Sequence, residues 1–185
     1  MDQDSDASPD SPILIGGVEK REIVVVDHDP GWGAAYARHE AILRSALGSR
    51  LLSVDHVGST SVPGLAAKPI IDIVLTVEDS AREEDYLPDL EAAGYVLRVR
   101  EPRWHEHRMV RTPERDVHIH IFSLGCSEVA RNRVFRDRLR SHPEDRQWYE
   151  TTKRRLAAQP WEDMNAYAEA KSEVIRQILA KAGWK

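Results

Sequence analysis

"HVGSTSVPGLAAKPIIDIV", residues 56–74, decides how this chain is read. A glycine-serine pair, Gly58-Ser59, ends an apolar run. Thr60 and Ser61 add two hydroxyls, Lys68 stands between Ala67 and Pro69, and one carboxylate, Asp72, interrupts a run of Ile and Val. The segment "PIIDIVLTV" (69–77) is apolar enough for a strand covered on both faces. A carboxylate there costs several kcal/mol unless it is paired or holds a cation. Familiar phosphate loops are excluded. Gly58 and Gly64 are followed by Leu65 rather than Lys-Ser or Lys-Thr, and neither a G-x-G-x-x-G nor a G-x-S-x-G pattern occurs. What remains is a Gly-Ser turn, a loop of about ten residues and an aspartate on the next strand.

Working outward, "REIVVVDHD" (21–29) reads as a β-branched strand stopped by Pro30 and Gly31. "WGAAYARHEAILRSALG" has helical spacing and a C-cap glycine at Gly48. "LLSVDHV" (51–57) is a second strand. Ser80 and Glu83 form a capping-box pattern for a helix running to about Ala93, with Gly94 as its stop. Two strands, "YVLRVRE" and "HRMVRT", flank a loop at "PRWHE". "DVHIHIF" (116–122) alternates, so Val117, Ile119 and Ile121 share one face, and Asp116, His118, His120 and Phe122 the other. Three helices follow, at 127–141, 143–158 and about 163–182. Ser141 and Glu144 suggest a second capping box. Tyr167, Lys171, Val174, Ile175, Ile178 and Leu179 form an inward stripe ended by Gly183. The order predicts an α/β (α+β) fold, with a mixed sheet flanked by helices and a helical C-terminal part. The expected organisation is an acidic disordered tail over 1–12, an α/β core over 13–126, and helices over 127–185 packed on the same domain.

The 185 residues carry 26 basic and 31 acidic side chains. Four of the acids, Asp2, Asp4, Asp6 and Asp10, sit in the first ten residues, so the rest of the chain is nearly neutral. Bulk charge therefore gives no electrostatic case for nucleic acid, and no nucleic-acid reader motif is present. The single cysteine, Cys126, permits no internal disulfide and fits a reducing compartment. With neither a signal-like N-terminus nor an apolar run of ~20 residues, the expectation is a cytoplasmic protein without a membrane partner.

The chemistry-bearing candidates follow from these placements. Lys68 is placed either to neutralise phosphate or to remain a solvated loop lysine. His118 and His120 share a strand face and can act as ligands. Arg133, Arg136 and Arg140 fall on one helical stripe that could bind a triphosphate or an anionic acceptor. His56 is open between ligand, acid-base and structural roles. His105 and His107 read as solvated loop residues, and Trp148, Tyr149 and Trp161 as packing residues.

The Gly-Ser turn with Asp72 resembles the nucleotidyltransferase superfamily, the polymerase-β-like fold. The longer set "HVGSTSVPGLAAKPIIDI", "HIHIF", "FRDRLR" and "YAEAKSEVIRQILAKA" is more specific. It resembles the GrpB family of nucleotidyltransferase-fold proteins, some fused to dephospho-CoA kinase, over about residues 22–182. That resemblance implies transfer of a nucleotidyl group from an NTP, or another phosphorylated small molecule, to a small acceptor. It implies a divalent cation, Mg²⁺ or Mn²⁺, with Zn²⁺ or Ni²⁺ open from the histidines. Gly58, Ser59, Thr60, Ser61, Lys68, Arg133, Arg136 and Arg140 would hold phosphate. Asp72, His118 and His120 would hold the cation, with Asp72 and His120 as the catalytic pair. The alternative is a non-catalytic nucleotide- or phosphate-binding accessory module linked to CoA metabolism. The superfamily's strand carries two acids spaced D-x-D. Here Ile70 or Val74, depending on register, stands where the other acid belongs. The third acid's strand offers Asp116, His118 and His120. A joint site requires Asp72 to lie within roughly 8 Å of the imidazoles, given metal bonds of ~2 Å.

Overall fold

The computed structural model describes residues 11–19, 22–161 and 164–185. Most of the expected acidic tail lies outside them. The elements run β1 (Ile13–Leu14), α1 (Gly31–Leu47), β2 (Ser53–Val57), β3 (Ile71–Val77), α2 (Leu87–Ala92), β4 (Val96–Glu101), β5 (His107–Arg111) and β6 (Val117–Ser123). The helices α3 (Ser127–Ser141), α4 (Pro143–Ala157), α5 (Met164–Ala170) and α6 (Ser172–Lys181) follow. The six strands form one mixed sheet in the order β1-β4-β5-β6-β3-β2. Only β3 and β6 pair in parallel.

Alternation along β3 and β6 divides the core. Ile71, Ile73, Leu75, Val117, Ile119 and Ile121 are buried under α1 and α2 with Leu43, Leu47, Tyr86 and Leu90. Val57, Val74 and Phe122 point the other way and pack on Val129 of α3. A further cluster joins Val62 and Leu65, from the loop before β3, to Leu139, Tyr149, Val174 and Ile178. The C-terminal helices thus pack on the loop that opened the sequence reading.

Four local expectations change. The β-branched run Ile23–Val26 forms no strand. Its one sheet contact is a bridge from Val26 to Ala67, and Arg21 lies outside the described residues. Ser80 does not cap a helix: its hydroxyl donates to the Glu106 carbonyl, and its amide donates to Ser123 Oγ. Glu83 is drawn to Arg100 and Arg108, and a short 3₁₀ turn precedes α2. Ser141 instead donates to the Asp137 carbonyl of its own helix, and α4 starts with Pro143 at its first turn. The last helix is broken at Lys171, whose amide reaches only three residues back, to Ala168. Gly48, Gly94 and Gly183 do stand at helix ends with positive φ.

Asp145 ties the helical layer together. It is 1% exposed and accepts from Arg138 Nε and Lys181 Nζ, each at 2.7 Å. Burial alone would raise its carboxyl, but Lys181 and Arg138 outweigh that and hold it below the ordinary value. Its contribution is therefore present above the unfolded carboxyl value of about 3.9 and is lost as pH falls through the lower folded value. Asp145→Ala is expected to cost about 2 kcal/mol in urea unfolding at pH 7, because it removes two charge-assisted hydrogen bonds and leaves the partly buried Arg138 without its partner. The deficit should shrink below pH ~4. Arg154→Ala, at a largely exposed pair with Asp27, should cost under about 0.5 kcal/mol.

Candidate functional site

The site starts from register. In the antiparallel β2–β3 pair Val57 opposes Asp72, and in the parallel β3–β6 pair His118 lies beside Asp72. Asp72, His118 and His120 therefore project from one face. Asp72 Oδ1 stands 3.9 Å from His118 Nδ1 and 3.7 Å from His120 Nε2, well inside the reach a joint site requires. Gly58, just after β2, has φ 67°, and a Cβ on it would meet Asp72 Oδ2 at 2.7 Å. Glycine is needed at this turn both for its backbone angle and for the approach of the carboxylate. The next residues, Ser59–Ser61, form a 3₁₀ turn.

These groups line a cavity of about 550 Å³ between the sheet and the C-terminal helices. Its walls carry Gly58, Ser59, Thr60 and Lys68 from the loop, Asp72, His118 and His120 from the strands, and Arg131, Lys153 and Lys171 from the helices. Glu128 also faces it, but pairs with Arg131 at 3.2 Å. Three lysines thus oppose one unshared carboxylate, the balance of an anion site.

Lys153 is 3% exposed. Its Nζ donates to Ser59 Oγ at 2.8 Å and to the Ala66 carbonyl, and lies 4.8 Å from the Tyr149 ring centre. Burial, with Lys171 beside it, lowers its amine to about 7. Burial and then Lys68 lower Lys171 to about 8. Lys68 and Lys171 both lie over the Tyr167 ring, at 5.3 and 4.6 Å. A bound polyanion would favour the charged forms of Lys153 and Lys171.

A second chain of contacts runs behind His120. Glu101 Oε2 lies 2.6 Å from His107 Nδ1, and His107 Nε2 lies 3.0 Å from His120 Nδ1. His107 is 4% exposed, and burial lowers its pKa against the pull of Glu101. The neutral ring donates from Nδ1 to the carboxylate and accepts at Nε2, so His120 donates from Nδ1. His120 Nε2, on the other side of its ring, faces Asp72. Burial would raise Asp72, but the adjacent His120 ring and the positive charge of Lys68 hold it below its ordinary value. Burial lowers His118 to about 4, so its ring is neutral near pH 7.

This donor set fits a divalent cation in kind: one carboxylate oxygen with two imidazoles. It is open rather than closed. Among the described residues no three His, Cys, Asp or Glu form a compact metal cluster. The 3.7 and 3.9 Å separations exceed the roughly 3.3 Å edge expected between tetrahedral ligands with ~2 Å bonds. Asp116 is outside the set. It accepts from the Thr112 hydroxyl at 2.6 Å, away from the cavity. The alternative acid positions are apolar in fact: Ile70 lines the cavity, and Val74 packs beneath α3.

Other expected residues have different surroundings. Arg133 and Arg136 hold Asp55 on β2, with Arg136 also donating to the His56 carbonyl, and Arg140 donates twice to the Ser61 carbonyl. They brace the outside of the Gly-Ser turn and do not line the cavity. Ser61 turns its hydroxyl to the Gly58 carbonyl at 2.6 Å. Thr60 reaches both the Ile70 carbonyl and His56 Nε2. His56 lies on the opposite sheet face, stacked on Tyr36 at 4.7 Å. His107, expected in solvent, is buried behind His120 instead. Arg131 and Lys153 had no signal in the spacing: Lys153 meets Ser59 across 94 residues of chain.

Comparison with known proteins places these elements in a wider set. The family described as GrpB protein matches residues 22–181. A UPF0157 protein of Streptomyces coelicolor is 54% identical, over 92% of this chain and 89% of its own. The crystal structure of conserved protein GrpB from Enterococcus faecalis superposes with a TM-score of 0.72 at 29% identity, covering 85% of this chain and 98% of that one. A dephospho-CoA kinase of Mycobacterium leprae is 33% identical over 87% of this chain, which spans 48% of that enzyme.

The Gly58–Asp72 approach can be measured directly. Gly58→Ala should destabilise by about 2 kcal/mol or more in chemical denaturation, from backbone strain and displacement of the carboxylate. Gly94→Ala, also at positive φ but with nothing within 4 Å, should lose only the strain, about 1 kcal/mol. Equal losses would remove the case for the close approach.

Proposed function

The chain belongs to the GrpB family, and on that premise we propose that it transfers a nucleotidyl group from a nucleoside triphosphate to a small acceptor. One observation carries this reading: Asp72, with His118 and His120, shares a cavity with Lys68, Lys153 and Lys171 above a glycine-serine turn. Nucleotidyl transfer needs this combination, because charge builds on the phosphoryl group and must be met by cations and positioned donors. The lysines and the Ser59 hydroxyl would cradle the phosphates. Asp72, His118 and His120 would hold the divalent cation, which when bound supplies charge neutralisation at the reacting phosphate. Their open geometry leaves coordination positions for phosphate oxygens and water, the arrangement Mg²⁺ and Mn²⁺ commonly keep. Glu101 and His107 would keep His120 in the tautomer whose free nitrogen faces Asp72. The acceptor's oxygen would replace pyrophosphate at the α-phosphorus.

A second reading has its own support. The strand carries one carboxylate where two are usual, with Ile70 and Val74 at the alternate positions. Relatives that are dephospho-CoA kinases hold the matched region as about half of a longer chain. Both facts suit an accessory module that binds a phosphorylated ligand without turning it over.

Pyrophosphate release separates the two. Each NTP is assayed with Mg²⁺ or Mn²⁺ and a panel of small acceptors. Wild type is expected to release pyrophosphate, and Asp72→Asn to lose roughly 10²–10³-fold or more. Nucleotide binding with no release favours the accessory module. No binding or thermal stabilisation by any nucleotide removes both.

A further inference from the structure

The phosphate reading leaves part of the cavity wall unexplained. Trp104, Met109 and Phe122 also line it. The lysines lie over tyrosine rings of the same wall, Lys153 over Tyr149, and Lys68 and Lys171 over Tyr167. Trp104 and Phe122 stand elsewhere, against His107 behind His120.

Trp104 sits in the turn between β4 and β5. Its amide donates to the Glu101 carbonyl, and its carbonyl accepts from the His107 amide, both at 3.1 Å. The two residues between Trp104 and His107 are His105, with φ 56°, and Glu106, with φ 50°. Two consecutive positive φ angles make the mirror-image tight turn that Asn and Gly normally supply. A histidine and a glutamate are strained there. Packing around the indole fixes this turn. The Trp104 ring stands edge-on to Phe122 at 5.8 Å and to His107 at 5.2 Å. Yet Trp104 is 43% exposed. A tryptophan placed by a strained turn, seated on two aromatic rings and still open to the cavity, is built to receive a flat partner.

We propose that Trp104 is the platform on which a planar ring of the ligand stacks while its phosphates lie against the lysines. This rests on the phosphate reading above and goes beyond it. The pocket selects a nucleotide over a ring-free polyphosphate, and the selection is tolerant of base identity, because every base offers a π-face.

The test is calorimetric binding to the full chain with Mg²⁺. The ligands are the non-hydrolysable α,β-methylene analogues of ATP and CTP, and inorganic tripolyphosphate. The proteins are wild type, Trp104→Ala, Trp104→Phe and Lys153→Met. Wild type should bind both nucleotides about 5- to 150-fold more tightly than tripolyphosphate, the range expected for one stacked base. Trp104→Ala should lose that margin and leave tripolyphosphate affinity unchanged, with a lower melting temperature from the lost packing on Phe122 and His107. Trp104→Phe should recover most of it. Lys153→Met should weaken all three ligands together. The proposal is overturned if wild type binds tripolyphosphate as well as the nucleotides, or if Trp104→Ala weakens all ligands equally or none. In those cases the phosphate reading survives on the Lys153→Met result. Binding of none of the three to wild type would overturn both.

Discussion

Everything at the candidate site depends on how closely Asp72 approaches the Gly58 backbone. The antiparallel β2–β3 pair brings the end of β2 beside Asp72, and the missing side chain at Gly58 leaves the carboxylate its place. The parallel β3–β6 pair then sets His118 beside Asp72 and His120 one step along. A one-residue slip in either pairing would turn the donors to the α1 face, where Leu43 and Leu47 are buried. The register is held by the apolar side chains that alternate with the donors: Ile71, Ile73, Val117 and Ile119 must face α1 and α2. The hydrophobic core and the polar site are two faces of one constraint.

The helical layer adds the opposite charge. Arg136 and Arg140 brace the outside of the Gly-Ser turn through backbone carbonyls, and Lys153 closes it from the inside through Ser59. Lys153 is buried and Lys171 half-buried where an ammonium is costly, and their amines are lowered to about 7 and 8. An anion at this place would relieve that cost. Among the described residues no helix is long and apolar enough to cross a membrane.

The mixed sheet and the helical C-terminal part were legible because each depends on local rules, whereas the meeting of Asp72 with the His118 face was an expectation from the family resemblance. Apolar runs mark covered strands, and period-two alternation sorts side chains to faces. The failures share a cause in non-local partners. Glu83 fits a capping box, but Arg100 and Arg108 bind it more strongly from neighbouring strands. Arg133, Arg136 and Arg140 do form a stripe, but Asp55, the His56 carbonyl and the Ser61 carbonyl lie beneath it. Spacing gives a helix its faces and says nothing about what each face meets. His107 looked like a loop residue because the short hairpin hides that it opens β5 opposite Glu101. Ile23–Val26 had the composition of a strand and, among the described residues, found no strand to pair with beyond the bridge at Ala67.

The central claim is that one cavity holds a cation at Asp72 and phosphate at the lysines. A crystal soaked with Mn²⁺ and α,β-methylene ATP, with anomalous scattering measured for the manganese, tests it most directly. The account predicts a peak about 2.0–2.4 Å from an Asp72 carboxylate oxygen, with the triphosphate against Lys153 and Lys68. Manganese or triphosphate on the Arg133 and Arg136 surface of α3, with nothing bound at Asp72, would contradict it.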